Sequence, residues 1–138
     1  SISQNLGVKV ELNTVGDYQM FANERDNKNY DIFVGGWFSD YNDPLDFLNV
    51  MKTGVYDSYG LYSNSEYDSL IDSLTGENDN AKRLEIYQKL EDLLVAQDCG
   101  VAPLYYSDKH YYYQNWVKDF YTSSFGASQE LYRATVEK

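Results

Sequence analysis

The stretch at residues 35–47 (GGWFSDYNDPLDF) carries more side-chain chemistry than a connection between a strand and a helix requires. Two glycines precede Trp37, and Asp40 and Asp43 follow inside a turn that contains a proline. An aspartate at such a place can simply cap or turn the backbone. It can also contact a ligand, because α/β sheets bind ligands at the carboxyl ends of their strands. Beside Trp37, the carboxylate of Asp40 would suit a primary ammonium group better than an anion.

Catalytic and metal-binding patterns are weak in comparison. The one histidine, His110, lies in a tyrosine-rich run that alternates like a strand, which is typical of a sheet surface. The one cysteine, Cys99, excludes an intramolecular disulfide and a thiolate metal cluster. The spacing of Asp40 and Asp43 is common in turns, and residues 40–45 place Leu where a calcium loop needs Gly. We therefore expect no catalytic residue, no metal and no cofactor, and we expect that the protein is not an enzyme.

The composition indicates a folded, acidic protein that does not bind nucleic acid. The chain has 138 residues, of which 43% are apolar and 17% aromatic, enough to bury a core. A formal net charge of −11 disfavours nucleic acid, because phosphate binding needs clustered Lys and Arg. The 15 tyrosines exceed what a small core needs and suit a surface that contacts ligands. The runs at 105–106 and 111–113 are equally compatible with a strand that has one wet face.

The elements that position these residues are predicted from hydrophobic period and capping patterns. Strands are expected at Val8–Leu12, Tyr30–Val34, Val101–Tyr106, Lys109–Gln114 and 130–136. Helices are expected to begin at the capping-box-like Thr14, at Pro44, at the capping box Ser63–Glu66 and at Asp79 or Asn80. This order favours a mixed α/β fold in which a sheet is layered with helices.

Three further features complete the predicted architecture. The last long helix should end at Gly100 and bury Leu84, Tyr87, Leu90 and Leu94. Residues 52–62 have no helical period and are expected to be irregular. Leu6 and Gly7 look like the end of a helix whose beginning is missing, so we expect the chain to be a piece of a longer protein.

Residues 30–48 resemble the signature of a known family. The order Tyr-Asp-Ile, Gly-Gly-Trp-Phe-Ser-Asp-Tyr-Asn-Asp-Pro and Phe-Leu is similar to that of the peptide-type (family 5) solute-binding proteins of bacterial ABC importers, especially oligopeptide-binding proteins. Further resemblances to motifs of that family occur at residues 6–12, 67–71, 84–91 and 101–106. Each motif alone is weak, but their combination along the whole chain is specific.

The resemblance implies both a fold and a function. Residues 1–116 would form a portion of the C-terminal lobe of a periplasmic-binding-protein-like type II fold, and residues 117–138 would cross back toward the N-terminal lobe. An extended oligopeptide would lie between the lobes, held mainly through its main chain. The implied partners are the peptide, the missing N-terminal lobe of the same chain and the membrane permease of an ABC importer. The implied location is the extracellular face of the membrane, with a lipid anchor, or the periplasm.

The resemblance also implies roles for individual residues. Asp40 matches the aspartate that receives the α-ammonium group of the peptide. The segment whose backbone runs beside the ligand matches Gly36, Trp37, Phe38 and Ser39. Side chains that line the pocket would be Tyr18, Tyr105, Tyr106 and Ser107. The sequence departs from the family at Ser107, where some relatives have a third tyrosine, and at Lys118–Asp119, which replaces a pair of glycines.

Two other functions remain open at this point. The same fold could bind another solute, such as a dipeptide, a nickel chelate or an oligosaccharide, although Asp40 favours ligands with a free amine. Alternatively, the aromatic residues could belong to a stand-alone carbohydrate-binding module, which would be a β-sandwich rather than a protein with long helices.

Overall fold

The computed structural model describes residues 2–55, 61–123, 125 and 129–137. The chain divides into two compact units, Ser1–Phe33 and Val34–Lys138, which are described separately. In the part of the chain that the structure describes, no helix has the length and apolar character needed to cross a membrane.

The first unit begins with the short helix α1 (Ile2–Leu6). Gly7 ends it with a φ of +68°, a left-handed conformation that glycine adopts without a steric penalty. The Gly7 N–H donates to the carbonyl of Ser3 at 3.0 Å, which closes the last helical turn. The predicted glycine stop is confirmed.

The second helix of this unit, α2, spans Tyr18–Asp26. Its N-cap is Asp17, whose carboxylate accepts the backbone N–H of Met20 at 2.8 Å. The prediction that Thr14 begins the helix is therefore wrong by three residues. Aspartate is among the strongest N-cap residues, and Asp17 has the extended backbone that a cap requires.

The described residues of the second unit form three α-helices and two short helical extensions. The helix α3 (Leu45–Leu48) follows Pro44, as predicted, and continues as the 3₁₀ turn Asn49–Met51. The helix α4 spans Ser65–Ser73, the helix α5 spans Asn80–Glu91, and a π-helical segment extends α5 over Asp92–Gln97.

Side chains cap the two longer helices. Asn64 caps α4 by accepting two backbone N–H groups, so the predicted N-cap Ser63 is wrong by one residue. Asp79 caps α5 as predicted, accepting the N–H of Ala81 at 2.9 Å. After the π-helical segment, the Gly100 N–H donates to the Leu94 carbonyl at 2.8 Å, consistent with the predicted helix end at this glycine.

The hydrophobic core of the second unit lies between α3, α4 and α5. Its fully buried members include Tyr67 and Leu90, and the Tyr67 hydroxyl donates to the Leu48 carbonyl at 2.8 Å. Burial raises the pKa of Tyr67. The buried set is Leu48, Val50, Met51, Tyr67, Ile71, Leu74, Leu90, Leu93 and Leu94.

One predicted core residue of α5 is wrong. Leu84 is 56% exposed, whereas Ile86 and Tyr87 pack against the core beside Leu90. Leu84 and Leu90 are six positions apart, which is about 1.7 helical turns, so the two side chains lie on different faces. The predicted Tyr87, Leu90 and Leu94 do pack in the core, together with Ile86 and Leu93.

Two antiparallel pairs form the strands of the described chain. The strand β1 (Val117–Lys118) pairs with β4 (Thr135–Val136), and β2 (Tyr121–Thr122) pairs with β3 (Gln129–Glu130). The predicted strand at 130–136 is thus wrong: these residues contain the last residue of β3 and the whole of β4. Residues 52–55 and 61–62 are irregular as predicted, while 56–60 lie outside the described residues.

The other four predicted strands do not form among the described residues. They are Val8–Leu12, Tyr30–Val34, Val101–Tyr106 and Lys109–Gln114. A strand exists only when a neighbouring strand pairs with it, and these segments have no such neighbour in the described part. Most of their apolar side chains are exposed, although Phe33 is half-buried and Val101 packs against the core. Ile32 is 85% exposed, which contradicts the predicted burial of the second segment.

Candidate functional site

The acidic turn after Trp37 is fastened to the protein through a buried carboxylate, Asp46. The indole N–H of Trp37 donates to Asp46 Oδ2 at 3.1 Å, and the backbone N–H of Asp40 donates to the same oxygen at 2.9 Å. Asp46 lies on α3, is 7% exposed and forms no ion pair with a described residue. The two N–H groups therefore compensate for the removal of this carboxylate from water.

The side chain of Asp40 has a different environment from its backbone. Asp40 is exposed, and no described residue donates a hydrogen bond to its carboxylate or forms an ion pair with it. The turn is fixed around it, because the Ser39 hydroxyl donates to the Tyr41 carbonyl and the Asp43 N–H donates to the same oxygen at 3.0 Å. Asp40 is consequently an open carboxylate on a held backbone.

The far end of the turn is attached to α5 through Asp43. Its Oδ2 accepts from the guanidinium of Arg83 at 2.6 Å, and its Oδ1 accepts from the Tyr87 hydroxyl at 2.5 Å. Oδ1 also accepts the backbone N–H of Leu45 at 2.9 Å, and Arg83 donates to the Tyr87 hydroxyl. Asp43 thus joins the start of α3 to α5.

These contacts shift two pKa values in opposite directions. Partial burial works to raise the pKa of Asp43, but the Tyr87 hydroxyl, the Leu45 N–H and the charge of Arg83 together lower it below 3.8. Burial and the hydrogen bond to Asp43 raise the pKa of Tyr87 to about 12. Asp43 is therefore ionised and Tyr87 neutral at physiological pH, which is the state that their hydrogen bond requires.

Phe38 lies beside a cation from another segment. The Lys109 ammonium is 5.2 Å from the centroid of the exposed Phe38 ring, within the range of a cation–π contact. Lys109 follows Ser107 by two residues in the sequence. Tyr105, Tyr106 and Ser107 are exposed, Tyr106 at 95%, and the strand predicted for this segment does not form.

The remaining predicted site residues also lie at accessible positions. Gly36 is exposed, and a Cβ built on it would have no atom within 4 Å. Ser39 is half-buried at the start of the turn. Tyr18 belongs to the first unit, at the first residue of α2, where its exposed ring lies 6.4 Å from that of Phe21.

The turn presents one accessible carboxylate, that of Asp40. The described residues contain no group of three His, Cys, Asp or Glu side chains that could hold a metal. Asp43 is occupied by Arg83 and Tyr87, so it is not available as the partner of Asp40 in an acid–base pair. What remains is an accessible carboxylate next to aromatic side chains, which can accept hydrogen bonds from a cation.

Sequence reasoning missed the residues that hold the turn. Asp46 sits in an apolar helical run between Leu45 and Phe47, and a carboxylate at such a position is a signal for a buried acceptor. Arg83 and Tyr87 are four residues apart on α5, the spacing that places two side chains on one helix face. Neither pattern identifies the partner, because the contacts span 40 and 44 residues.

Comparisons of the sequence with known proteins find oligopeptide-binding proteins. Over 118 residues the chain is 32% identical to the oligopeptide-binding protein OppA of Bacillus subtilis, covering 84% of this chain and 20% of that protein. Over 114 residues it is 32% identical to the periplasmic oligopeptide-binding protein OppA of Salmonella typhimurium, covering 83% and 21%. No protein-family model matches the chain.

Comparison of the structure finds the same class of protein, oligopeptide-binding proteins of transporters. The substrate-binding domain of an oligopeptide ABC transporter from Bacillus anthracis superimposes with a TM-score of 0.84 and 29% identity, covering 99% of this chain and 27% of that chain. The chain is therefore homologous to a segment of the peptide-type solute-binding proteins, and the predicted resemblance and mixed α/β fold class are confirmed. It spans about a fifth of the length of the curated relatives named here, which are binding proteins rather than enzymes.

Proposed function

We propose that the chain is the C-terminal portion of a receptor that binds oligopeptides for an ABC importer, and that Asp40 holds the amino terminus of the peptide. In this proposal residues 1–116 are part of the C-terminal lobe and residues 117–138 cross back toward an N-terminal lobe. A membrane permease is the transport partner. The receptor lies outside the cytoplasmic membrane, either in the periplasm or lipid-anchored at the cell surface.

The observation that carries the proposal is the contrast between the side chain and the backbone of Asp40. Its carboxylate has no partner among the described residues, while its N–H is fixed on Asp46. An ammonium group that reached this carboxylate would form a charge-assisted hydrogen bond without a prior rearrangement of the turn. Closure of a second lobe would strengthen that contact by excluding water.

The neighbouring residues support a peptide as the ligand. Gly36 leaves space for another backbone, because a Cβ at this position would meet nothing within 4 Å. The accessible rings of Phe38, Tyr105 and Tyr106 offer apolar area for side chains of varied shape. A stand-alone carbohydrate module is not supported, because the two-residue strand pairs of the described chain cannot build a β-sandwich.

The test uses the complete polypeptide that carries this segment, with trialanine and N-acetyl-trialanine as probes in isothermal titration calorimetry. Acetylation removes the ammonium charge, and we expect it to weaken binding about 10- to 100-fold. Asp40→Asn should weaken trialanine binding by a similar factor and leave N-acetyl-trialanine unaffected. Equal affinity of the wild-type protein for both peptides would refute the amine contact.

The 138-residue chain alone should bind trialanine with a dissociation constant of about 1 mM or weaker. It supplies at most one wall of the proposed cleft, and ordering the peptide still costs entropy. An NMR titration of the labelled chain measures this. Saturation at micromolar peptide would mean that the chain is a complete binding module and would refute the proposed lobe assignment.

A further inference from the structure

We infer that Asp46 is a positioning residue for amine recognition: by holding the backbone of Asp40, it sets the location of the carboxylate that meets the peptide amino terminus. This inference rests on the function proposed above, because it concerns the same carboxylate. It assigns a role to a residue that does not itself contact the ligand.

The geometry carries the first step. Asp46 Oδ2 accepts one N–H from Trp37, within the segment proposed to run beside the ligand, and one from Asp40, directly after that segment. The amide nitrogen of Asp40 is one bond from the Cα that carries the recognising side chain. Fixing this nitrogen at 2.9 Å from Oδ2 therefore restricts where the Asp40 carboxylate can lie.

The burial of Asp46 carries the second step. Burying a carboxylate on folding costs free energy, and Asp46 is 7% exposed with no ion-pair partner among the described residues. An apolar residue would fit the helix α3 at lower cost. The acceptor is useful because two donors of the turn converge on one oxygen, which a neutral aliphatic side chain cannot replace.

Loss of this acceptor has a specific consequence for binding. With the Asp40 N–H released, the turn can adopt other conformations, and only a fraction of the molecules presents the carboxylate correctly. The apparent affinity for a free amine falls by that fraction. Contacts made by the main chain of the peptide elsewhere are unchanged, so the affinity for an acetylated peptide should change little.

The experiment measures the ratio of the dissociation constants of N-acetyl-trialanine and trialanine in the complete polypeptide. Asp46→Ala should lower this ratio at least about fivefold, while Asp46→Asn, whose amide oxygen can accept both N–H groups, should keep most of it. Asp72→Ala is the matched control, since its side chain is 65% exposed and pairs only with Lys52 among the described residues; its ratio should equal that of the wild type. If Asp46→Ala does not fold, Asp46→Ser carries the same expectation, because its shorter side chain cannot reach the position of Oδ2.

The possible results separate the inference from the function on which it rests. If Asp40→Asn leaves the ratio unchanged, the proposed amine contact is refuted. If Asp40→Asn lowers the ratio to about one, but the folded Asp46→Ala or Asp46→Ser variant keeps it within twofold of the wild-type value, the inference alone is refuted. An equal loss in Asp46→Asn and Asp46→Ala would also refute it, because the effect would then come from charge rather than position.

Discussion

Removing the carboxylate of Asp46 should destabilise the isolated chain by about 2 kcal/mol. Two hydrogen bonds to a charged acceptor are worth roughly 1.5–3 kcal/mol each. The Trp37 ring is only half-buried and Asp40 is exposed, so water can reach both released donors and the lower end of this range applies. The substitution Asp46→Ala also relieves the cost of a buried charge, which offsets part of the loss.

Urea unfolding monitored by fluorescence measures this difference. The background variant Trp116→Phe leaves Trp37 as the one tryptophan, so the signal reports on the turn. A loss of about 2 kcal/mol would lower the midpoint by roughly 1 M urea at an unchanged slope. Asp46→Asn should lose no more than about 1 kcal/mol, since an acceptor oxygen remains.

The control is a substitution of an exposed carboxylate, for which only a small loss of stability is expected. Asp72→Ala removes a carboxylate from an exposed ion pair with Lys52, which should cost at most about 0.5 kcal/mol. If Asp46→Ala costs no more than this control, the two hydrogen bonds do not hold the turn.

Three further predictions concern the contacts around the turn and in the core. Because Asp43 has a folded pKa below its ordinary 3.8, its contribution to stability is present above about pH 4 and is lost as the pH falls through the folded pKa, so Asp43→Asn should flatten that part of an acid-unfolding curve followed by circular dichroism. Gly100→Ala should cost about 1–3 kcal/mol in urea unfolding, since its Cβ would lie 2.6 Å from the Tyr62 ring, whereas Gly36→Ala should be neutral within about 0.5 kcal/mol; equal costs would contradict the packing at Gly100. Leu90→Ala should cost about 2–5 kcal/mol in the same assay because Leu90 is fully buried, whereas Leu84→Ala should cost less than about 1 kcal/mol because Leu84 is exposed. A similar loss in both variants would show that the buried face of α5 is assigned wrongly.

The helices were predictable because their signals are local. Pro44 and Asp79 act on residues within one turn, so their patterns locate α3 and α5 directly. The errors at Thr14 and Ser63 have a common cause. In both places two or more capping residues occur close together, and the sequence does not reveal which side chain turns back to the helix.

The strands were not predictable in the same way, because pairing is not local. Val8–Leu12 alternates correctly and yet has no partner strand in the described part of the chain. Alternation shows that one face of a segment is apolar, but a second segment must supply the hydrogen bonds. Since the relatives named here are about four times as long as this chain, their remaining sequence is where we would look for such partners.

The candidate site remains a prediction. The motif draws attention to the turn, but the roles of its three aspartates could not be separated by sequence. Asp40, Asp43 and Asp46 lie within seven residues and carry the same carboxyl group. Their partners lie on α5 and in the turn itself, and only the fold decides which carboxylate meets which donor.

The different environments of these carboxylates give a criterion for the one that meets a ligand. Asp46 is buried and accepts from the backbone and from Trp37, and Asp43 is saturated by Arg83, Tyr87 and the N–H of Leu45. Either of them would have to give up existing hydrogen bonds before it could bind an amine, which would cancel much of the gain. Asp40 can bind without such a loss, and the other two aspartates keep its backbone in place. An acidic turn can therefore present one carboxylate that is available to a ligand, because the neighbouring carboxylates already accept hydrogen bonds from the protein.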